Sequence, residues 1–178
     1  MFIKPFLMKS LLINLVTLMF LTGCQEDLFP ESQAQPNGPG QVGETVSDFN
    51  SELNSGDEFQ LNQRLADTNA DAVVFYFTMW CTVCDSHVSV IKNSILPNYT
   101  NVEFILVDYV SSSNSYSRAS QQSSGFTDFD TIVDKGNQLE DALSATMGSI
   151  VVIDKNSVVQ LNEYFNNSQN LIQVLNQL

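Results

Sequence analysis

The sequence predicts an α/β domain with a central mixed sheet and helices on both faces. Two apolar runs of strand length, Ala72–Phe77 and Val102–Val107, flank a segment with helical spacing, a pattern typical of a parallel strand–helix–strand unit. Two later apolar runs, Ile150–Ile153 and Val158–Leu161, are separated by four residues, which predicts an antiparallel hairpin. A sheet that contains both arrangements is mixed.

The helices around the first strand are predicted from capping residues and apolar spacing. Ser55 and Glu58 fit a capping pair at a helix start, and Leu61 and Leu65 then share one face of a helix expected to end near Asn69. After the first strand, apolar residues recur at helical spacing until Pro97 ends the helix. These residues are Val88, Ile91 and Ile95.

The second half of the chain alternates polar connections with short elements. Residues 111–124 include eight serines in 14 positions and predict a polar loop with at most one weak helical turn. Phe129–Val133 is expected to be a short strand and Leu139–Ala145 a short helix. Ser168 fits the cap of a last helix. Its inward residues are predicted to be Leu171, Val174, Leu175 and Leu178.

Composition favours one domain and argues against one class of partner. The chain has 178 residues, 43% of them apolar, with 12 Phe, which is enough for one buried core. Acidic residues outnumber basic ones 20 to 7. Because such a surface repels phosphate backbones, we expect no nucleic-acid binding.

The N-terminus is predicted to be a targeting segment that is not part of the folded domain. The apolar run Leu11–Leu21 is too short to span a bilayer and suits a signal peptide. It ends in Leu21-Thr22-Gly23-Cys24, which resembles the bacterial lipobox and predicts lipidation of Cys24. Gln25 follows this Cys. A residue other than Asp at this position resembles the sorting signal that directs a lipoprotein of a Gram-negative bacterium to the periplasmic face of the outer membrane. We therefore expect a signal peptide at 1–23, a lipidated Cys and flexible tether at 24–41, and the domain at 42–178.

Cys81 and Cys84 are the predicted redox pair. They directly follow the first buried strand, where a helix begins. The N–H groups of a helix start stabilise a thiolate, which is the attacking species in disulfide exchange, and a second Cys one turn inside can resolve the mixed disulfide. The alternatives are a structural disulfide, or a zinc site for which only His87 and carboxylates could complete the ligands.

With this pair, the chain resembles the thioredoxin superfamily, and within it the TlpA-like and redoxin (AhpC/TSA-like) branch. The matching stretches are VGETVSDF at 42–49, VVFYFTMWCTVC at 73–84 and IVVIDKNSVV at 150–159. The resemblance implies a thioredoxin-like fold and a membrane-tethered thiol–disulfide oxidoreductase of the cell envelope, without a cofactor. It also implies protein thiol substrates, a membrane electron donor, and Trp80 as a cover over Cys81.

The chain departs from the family pattern at three places. Thr82-Val83 lies between the cysteines, where the family usually has Pro second, and Phe75 replaces a buried acid. The loop at Gly148-Ser149 lacks the family's cis-Pro, so we expect a trans peptide there and a more open site. This departure leaves open a non-catalytic module that binds a metal such as copper, or a partner protein, through the Cys pair. A peroxidase is a weaker third alternative.

Overall fold

The computed structural model describes residues 38–68 and 70–178. The predicted signal peptide, Cys24 and most of the predicted tether lie outside these residues. Among the described residues, no helix has the length and apolar character needed to cross a bilayer.

The strands form a small hairpin and one five-stranded sheet. The hairpin pairs β1 (Asn50–Glu52) with β2 (Glu58–Gln60). The sheet has the order β5-β4-β3-β6-β7, in which β3, β4 and β5 are parallel while β6 runs antiparallel to both of its neighbours. The predicted mixed sheet is therefore confirmed. Its strands are β3 (Ala72–Thr78), β4 (Val102–Asp108), β5 (Asp130–Val133), β6 (Ser149–Asp154) and β7 (Val159–Tyr164).

Within residues 38–68 and 70–178, five α-helices connect or follow these strands. The second of them continues through a π-helical turn at Ile91–Ile95 and a 3-10 turn at Leu96–Asn98 that contains Pro97. The α-helices are α1 (Leu61–Thr68), α2 (Thr82–Val90), α3 (Asn114–Ser124), α4 (Gln138–Leu143) and α5 (Gln169–Leu175).

Alternation along the central strand β3 divides the core between the two faces of the sheet. Phe75 and its odd-numbered neighbours pack with residues of α1 and α4 in one apolar cluster. Tyr76 and its even-numbered neighbours pack with residues of α2 and α5 in the other cluster, which contains Cys84. Every residue of β3 is buried, as expected for a strand covered on both sides. The prediction of helices on both faces is confirmed.

The predicted helix start at Ser55 is wrong, because residues 55–57 form the turn of the β1–β2 hairpin. The hydroxyl of Ser55 donates to the Asp57 carboxylate at 2.7 Å, and Gly56 has a φ of +97°. The hairpin buries Phe59 in the core, and α1 begins only at Leu61. Burial of an aromatic ring and the strand pairing outweigh a local capping pattern that is weak in free energy.

The predicted Ser-rich loop is also wrong, because most of it forms the helix α3. Ser117 and Gln121, four residues apart, face inward. The Gln121 amide accepts a hydrogen bond from Asn54 at 2.7 Å and donates to two backbone carbonyls after the helix. Gly125 ends the helix with a φ of +78°. The inner face is polar, so apolar periodicity could not reveal it.

The contacts of the domain extend back to Gly38, where an added Cβ would overlap the hydroxyl of Ser144. The side-chain amide of Asn162 donates to the carbonyl of Gly40 at 2.9 Å and to that of Leu143 at 2.6 Å. The Glu44 carboxylate accepts from the backbone of Gly40 and Gln41, each at 3.0 Å. The last residues of the predicted tether thus lie against the domain.

Candidate functional site

Cys81 and Cys84 lie where β3 ends and α2 begins. Cys81 is the N-cap of α2, with extended backbone angles, and Cys84 lies one turn inside the helix. The two residues form a disulfide with a Cα–Cα distance of 5.0 Å. The backbone N–H of Cys84 donates to Sγ of Cys81 at 3.2 Å, so the cap of the helix is itself a sulfur atom.

The two sulfurs differ in accessibility. Cys81 is half-buried, whereas Cys84 is 1% exposed. Thr82 and Val83, between them, are exposed. Of the two sulfurs, only that of Cys81 is accessible to a substrate sulfur. This agrees with the prediction that Cys81 attacks first and Cys84 resolves the mixed disulfide.

Among the described residues, the start of α2 is the group placed to stabilise a Cys81 thiolate in the reduced protein. All five basic side chains among the described residues contact partners elsewhere. Arg64, Lys92, Lys135 and Lys155 form ion pairs, and Arg118 donates to the carbonyl of Asn54. The remaining stabilisation comes from the free N–H groups and dipole at the start of α2.

Trp80 is held beside Cys81 by a buried acid. Its indole N–H donates to Oδ2 of Asp108 at 2.6 Å. Its backbone N–H donates to the hydroxyl of Thr78 at 3.0 Å, and the backbone of Trp80 has a φ of +58°. Asp108 is 0% exposed, and its Oδ1 accepts from the backbone of Val110 and Ser111. Sequence analysis missed Asp108. The sequence showed only a polar residue at the end of the second apolar run, and its pairing with Thr78 of β3 is visible only in the structure.

Phe75 lies on the opposite side of the sheet from Cys84. Its ring packs against Phe49 at 5.9 Å and Phe59 at 6.0 Å between centroids. It belongs to the cluster under α1 and α4, whereas Cys84 belongs to the cluster under α2 and α5. Phe75 therefore contributes packing and no proton transfer.

His87 and Tyr76 form a polar pair under α2. The Tyr76 hydroxyl and Nδ1 of His87 are 2.9 Å apart, and the rings of Tyr164 and Phe165 pack edge-on against the imidazole. Burial lowers the pKa of His87 and raises that of Tyr76. A neutral imidazole and a neutral phenol can share one hydrogen bond at this distance. The described residues contain no group of three or more His, Cys, Asp or Glu side chains placed to hold a metal ion.

The loop before β6 presents Met147 to the cysteines. Sδ of Met147 is 3.8 Å from Sγ of Cys81, a contact that sequence analysis missed. Gly148 and Ser149, the predicted site residues, anchor the loop. The Gly148 N–H donates to the carbonyl of Phe77 at 2.9 Å, and the Ser149 hydroxyl accepts from the backbone of Thr146 at 3.0 Å.

The peptide bonds of this loop are trans, as expected, since none of the described residues has a cis bond. Gly148 has a φ of +80°, and a Cβ there would overlap the ring of Tyr164. Because proline requires a φ near −65° and lacks the N–H that binds Phe77, this backbone excludes proline at 148.

Comparison with known proteins finds similarity in fold. No protein-family model and no curated protein sequence matches the chain. Solved structures, in contrast, do match the chain in fold. A Bacteroides thetaiotaomicron protein described as a candidate protein disulfide isomerase is 19% identical, with a TM-score of 0.62, over 79% of this chain and 91% of that one. A thioredoxin-like protein from Aeropyrum pernix is 17% identical, with a TM-score of 0.61, over 74% and 89%. A secreted Mycobacterium tuberculosis disulfide oxidoreductase is 15% identical, with a TM-score of 0.56, over 73% and 96%.

Proposed function

The chain has a thioredoxin-like fold with a Cys-x-x-Cys pair at disulfide distance, and from this premise we propose that it is a thiol–disulfide oxidoreductase. One observation carries the proposal. Cys81, at the N-terminus of α2, is accessible, while its disulfide partner Cys84 is buried one turn behind it. This is the geometry that separates an attacking sulfur from a resolving one.

The exchange reaction balances with these two residues alone. The Cys81 thiolate attacks one sulfur of a substrate disulfide, forms a mixed disulfide and releases the other substrate sulfur as a thiolate, which takes up a proton. The Cys84 thiol then loses its proton and attacks Sγ of Cys81, which releases the second substrate thiol. The substrate gains two electrons and two protons, and the protein is left with the Cys81–Cys84 disulfide. The reverse sequence oxidises a substrate dithiol, and the reduction potential of the pair sets the direction.

Insulin reduction and thiol alkylation test the proposal together. In the reduced protein, Cys81 is expected to alkylate much faster than Cys84. Cys81→Ser abolishes turnover, whereas Cys84→Ser traps mixed disulfides that migrate as larger species on non-reducing gels. Ser86→Ala, which loses only an exposed hydroxyl bonded to the carbonyl of Thr82, serves as the control and keeps full turnover. Equal alkylation rates, or turnover by Cys81→Ser, would contradict the assigned roles.

We also propose that the protein acts in the cell envelope from a lipid anchor at Cys24, with protein disulfides as substrates and a membrane protein as electron donor. The support is the sequence Leu21-Thr22-Gly23-Cys24 after an apolar run of signal-peptide length. Stable anchoring requires at least two acyl chains, as bacterial lipoproteins carry. Mass spectrometry of the native N-terminus is expected to show acylated Cys24, and Cys24→Ala is expected to lose membrane association. A mature N-terminus at another residue contradicts this anchor and leaves the redox proposal intact.

A further inference from the structure

A third sulfur lies beside the redox pair. Sδ of Met147 is 3.8 Å from Sγ of Cys81, and Met147 is half-buried in the same cluster that contains Cys84. The three sulfurs come from two separate elements, the start of α2 and the loop before β6. The oxidised protein therefore already holds a thioether in contact with the sulfur that becomes the accessible thiolate on reduction.

The backbone next to Met147 is held by hydrogen bonds on both sides of Gly148. The N–H of Gly148 donates to the carbonyl of Phe77, and its carbonyl accepts from the N–H of Phe165 at 2.8 Å. Met147 thus precedes a residue that is hydrogen-bonded to β3 on one side and to the residue after β7 on the other. Cys81 is fixed in turn as the cap of α2. Little rearrangement is required to bring Met147 and Cys81 to a common ligand.

We propose that the reduced protein binds Cu(I) through the Cys81 and Cys84 thiolates and the Met147 thioether. The proposal shares the Cys pair with the proposed function and adds a ligand that disulfide exchange does not need. Thiolate and thioether sulfurs are the soft donors that select Cu(I). Metal–sulfur bonds of about 2.3 Å place the sulfurs of a three-coordinate site roughly 4 Å apart, close to the Met147–Cys81 separation.

Binding involves no electron transfer. Two thiols release two protons, and Cu(I) takes the two thiolates and the neutral thioether without a change in its oxidation state. In the disulfide form neither sulfur is a thiolate, so oxidation of the pair removes the site. Cys84 forms the buried side of the site, while half-buried Cys81 and Met147 leave it open to an incoming ion.

Competition with a chromogenic Cu(I) chelator measures the site in the reduced full chain under an inert atmosphere. Met147→Leu keeps the apolar volume and removes the sulfur. It is expected to weaken Cu(I) binding by at least about tenfold, since loss of even a supporting contact at a metal site has that effect. Met79→Leu is the matched control, because Met79 is 43% exposed on the loop before Trp80 and belongs to neither apolar cluster of the described residues. Its Cu(I) affinity is expected to equal that of the wild type.

Two further measurements test whether the thioether itself binds the ion. Zn²⁺ binding by the reduced protein is expected to be equal in wild type and Met147→Leu, because zinc has little preference for a thioether. X-ray absorption of the wild-type Cu(I) complex is expected to show three sulfur neighbours, and this measurement needs no variant to fold. Equal Cu(I) affinity of wild type and Met147→Leu, or only two sulfur neighbours, overturns the proposal.

Insulin reduction by the same proteins distinguishes this proposal from the proposed function. Wild type that reduces insulin but fails the copper tests refutes the metal site alone. Wild type that passes the copper tests but does not turn over disulfides refutes the oxidoreductase proposal alone.

Discussion

At the scale of single residues, Asp108 is the carboxylate on which the surroundings of Cys81 depend. It has no exposed surface and accepts hydrogen bonds from the Trp80 indole and from two backbone N–H groups. Asp108→Asn keeps the shape but turns an NH₂ donor toward one of these donors. We expect it to lower the free energy of unfolding by about 1–3 kcal/mol, the cost of unsatisfied buried groups, and to shift the emission of Trp80, the only tryptophan.

Asp128→Asn is the matched control for Asp108→Asn. Asp128 makes one ion pair, with Lys92, and its side chain is 54% exposed. Surface pairs of this kind contribute about 0–1 kcal/mol. Urea unfolding of both variants checks the prediction. Equal losses of stability, or unchanged Trp80 fluorescence in Asp108→Asn, would show that the buried carboxylate does not hold the indole.

His87 is expected to make the domain less stable as the pH falls. Burial between α2 and the rings of Tyr76, Tyr164 and Phe165 lowers its pKa below the value of about 6.5 in the unfolded chain. The unfolded chain therefore takes up the proton first as the pH falls. The contribution of His87 is complete above about pH 6.5, and it is lost as the pH falls from there through the lower folded-state pKa.

His87→Asn removes this titration and leaves a side chain that can still accept a hydrogen bond. Urea unfolding at about pH 7.5 and about pH 5.5 is expected to show a larger loss of stability on acidification in the wild type than in the variant. Asn packs less well, so the pH dependence and not the absolute stability is compared. The carboxylates of the chain are common to both proteins. Parallel pH profiles would mean that His87 titrates normally in the folded state.

At the scale of elements, the loop before β6 combines a left-handed backbone with a close contact. Gly148 has a φ of +80°, and an added Cβ would overlap the Tyr164 ring. Gly136 has a φ of +79°, with nothing within 4 Å of an added Cβ. Gly136→Ala thus has the backbone cost alone, about 1–2 kcal/mol. Gly148→Ala is expected to cost about 1–3 kcal/mol more because of the overlap.

Thermal or urea unfolding of the two alanine variants checks this difference. Replacing Tyr164 by Leu in the Gly148→Ala background is expected to recover part of the stability, since the ring is what the new methyl group meets. Equal losses at Gly136 and Gly148 would contradict the close packing of this loop on β7. They would also weaken the case that Met147 is held in a fixed position.

Elements whose inner face is apolar could be predicted from the sequence, and those whose inner face is polar could not. The strands β3, β4, β6 and β7 follow from apolar runs, and α2 from Val88 and the residues after it. Helix α3 was missed because it turns Ser117 and Gln121 inward and buries an amide network in place of side-chain carbon. A serine-rich sequence gives the same pattern whether it is solvated or packed.

In the site, residues that are close in sequence could be predicted, and residues brought in from distant segments could not. Cys81, Cys84 and Trp80 are adjacent in sequence and could be predicted from one motif. Asp108 and Met147 reach the motif from β4 and from the loop before β6, through strand pairing that no local pattern encodes. The missing proline could be seen in the sequence. Which side chain faces the cysteines in its place could be seen only in the structure.

At the scale of the whole molecule, the excess of acidic residues should select the charge of a substrate. The chain has 20 acidic and 7 basic residues, and the basic side chains of the described residues are bound to partners. A field of one sign accelerates the approach of oppositely charged partners and is screened by salt. We therefore expect disulfide exchange to be faster with cationic than with anionic peptides.

Two disulfide-linked peptides that differ only in flanking residues, Lys in one and Glu in the other, measure this effect. At low ionic strength the Lys peptide is expected to react about tenfold faster or more, because steering raises association rates by that order. At about 1 M salt, where the Debye length is about 3 Å, the ratio should approach one. A peptide with uncharged flanks controls for effects of salt on the chemistry of exchange. A ratio that persists at high salt would point to direct contacts near Cys81, and a ratio of one at low salt would show that the net charge of the chain does not act at the site.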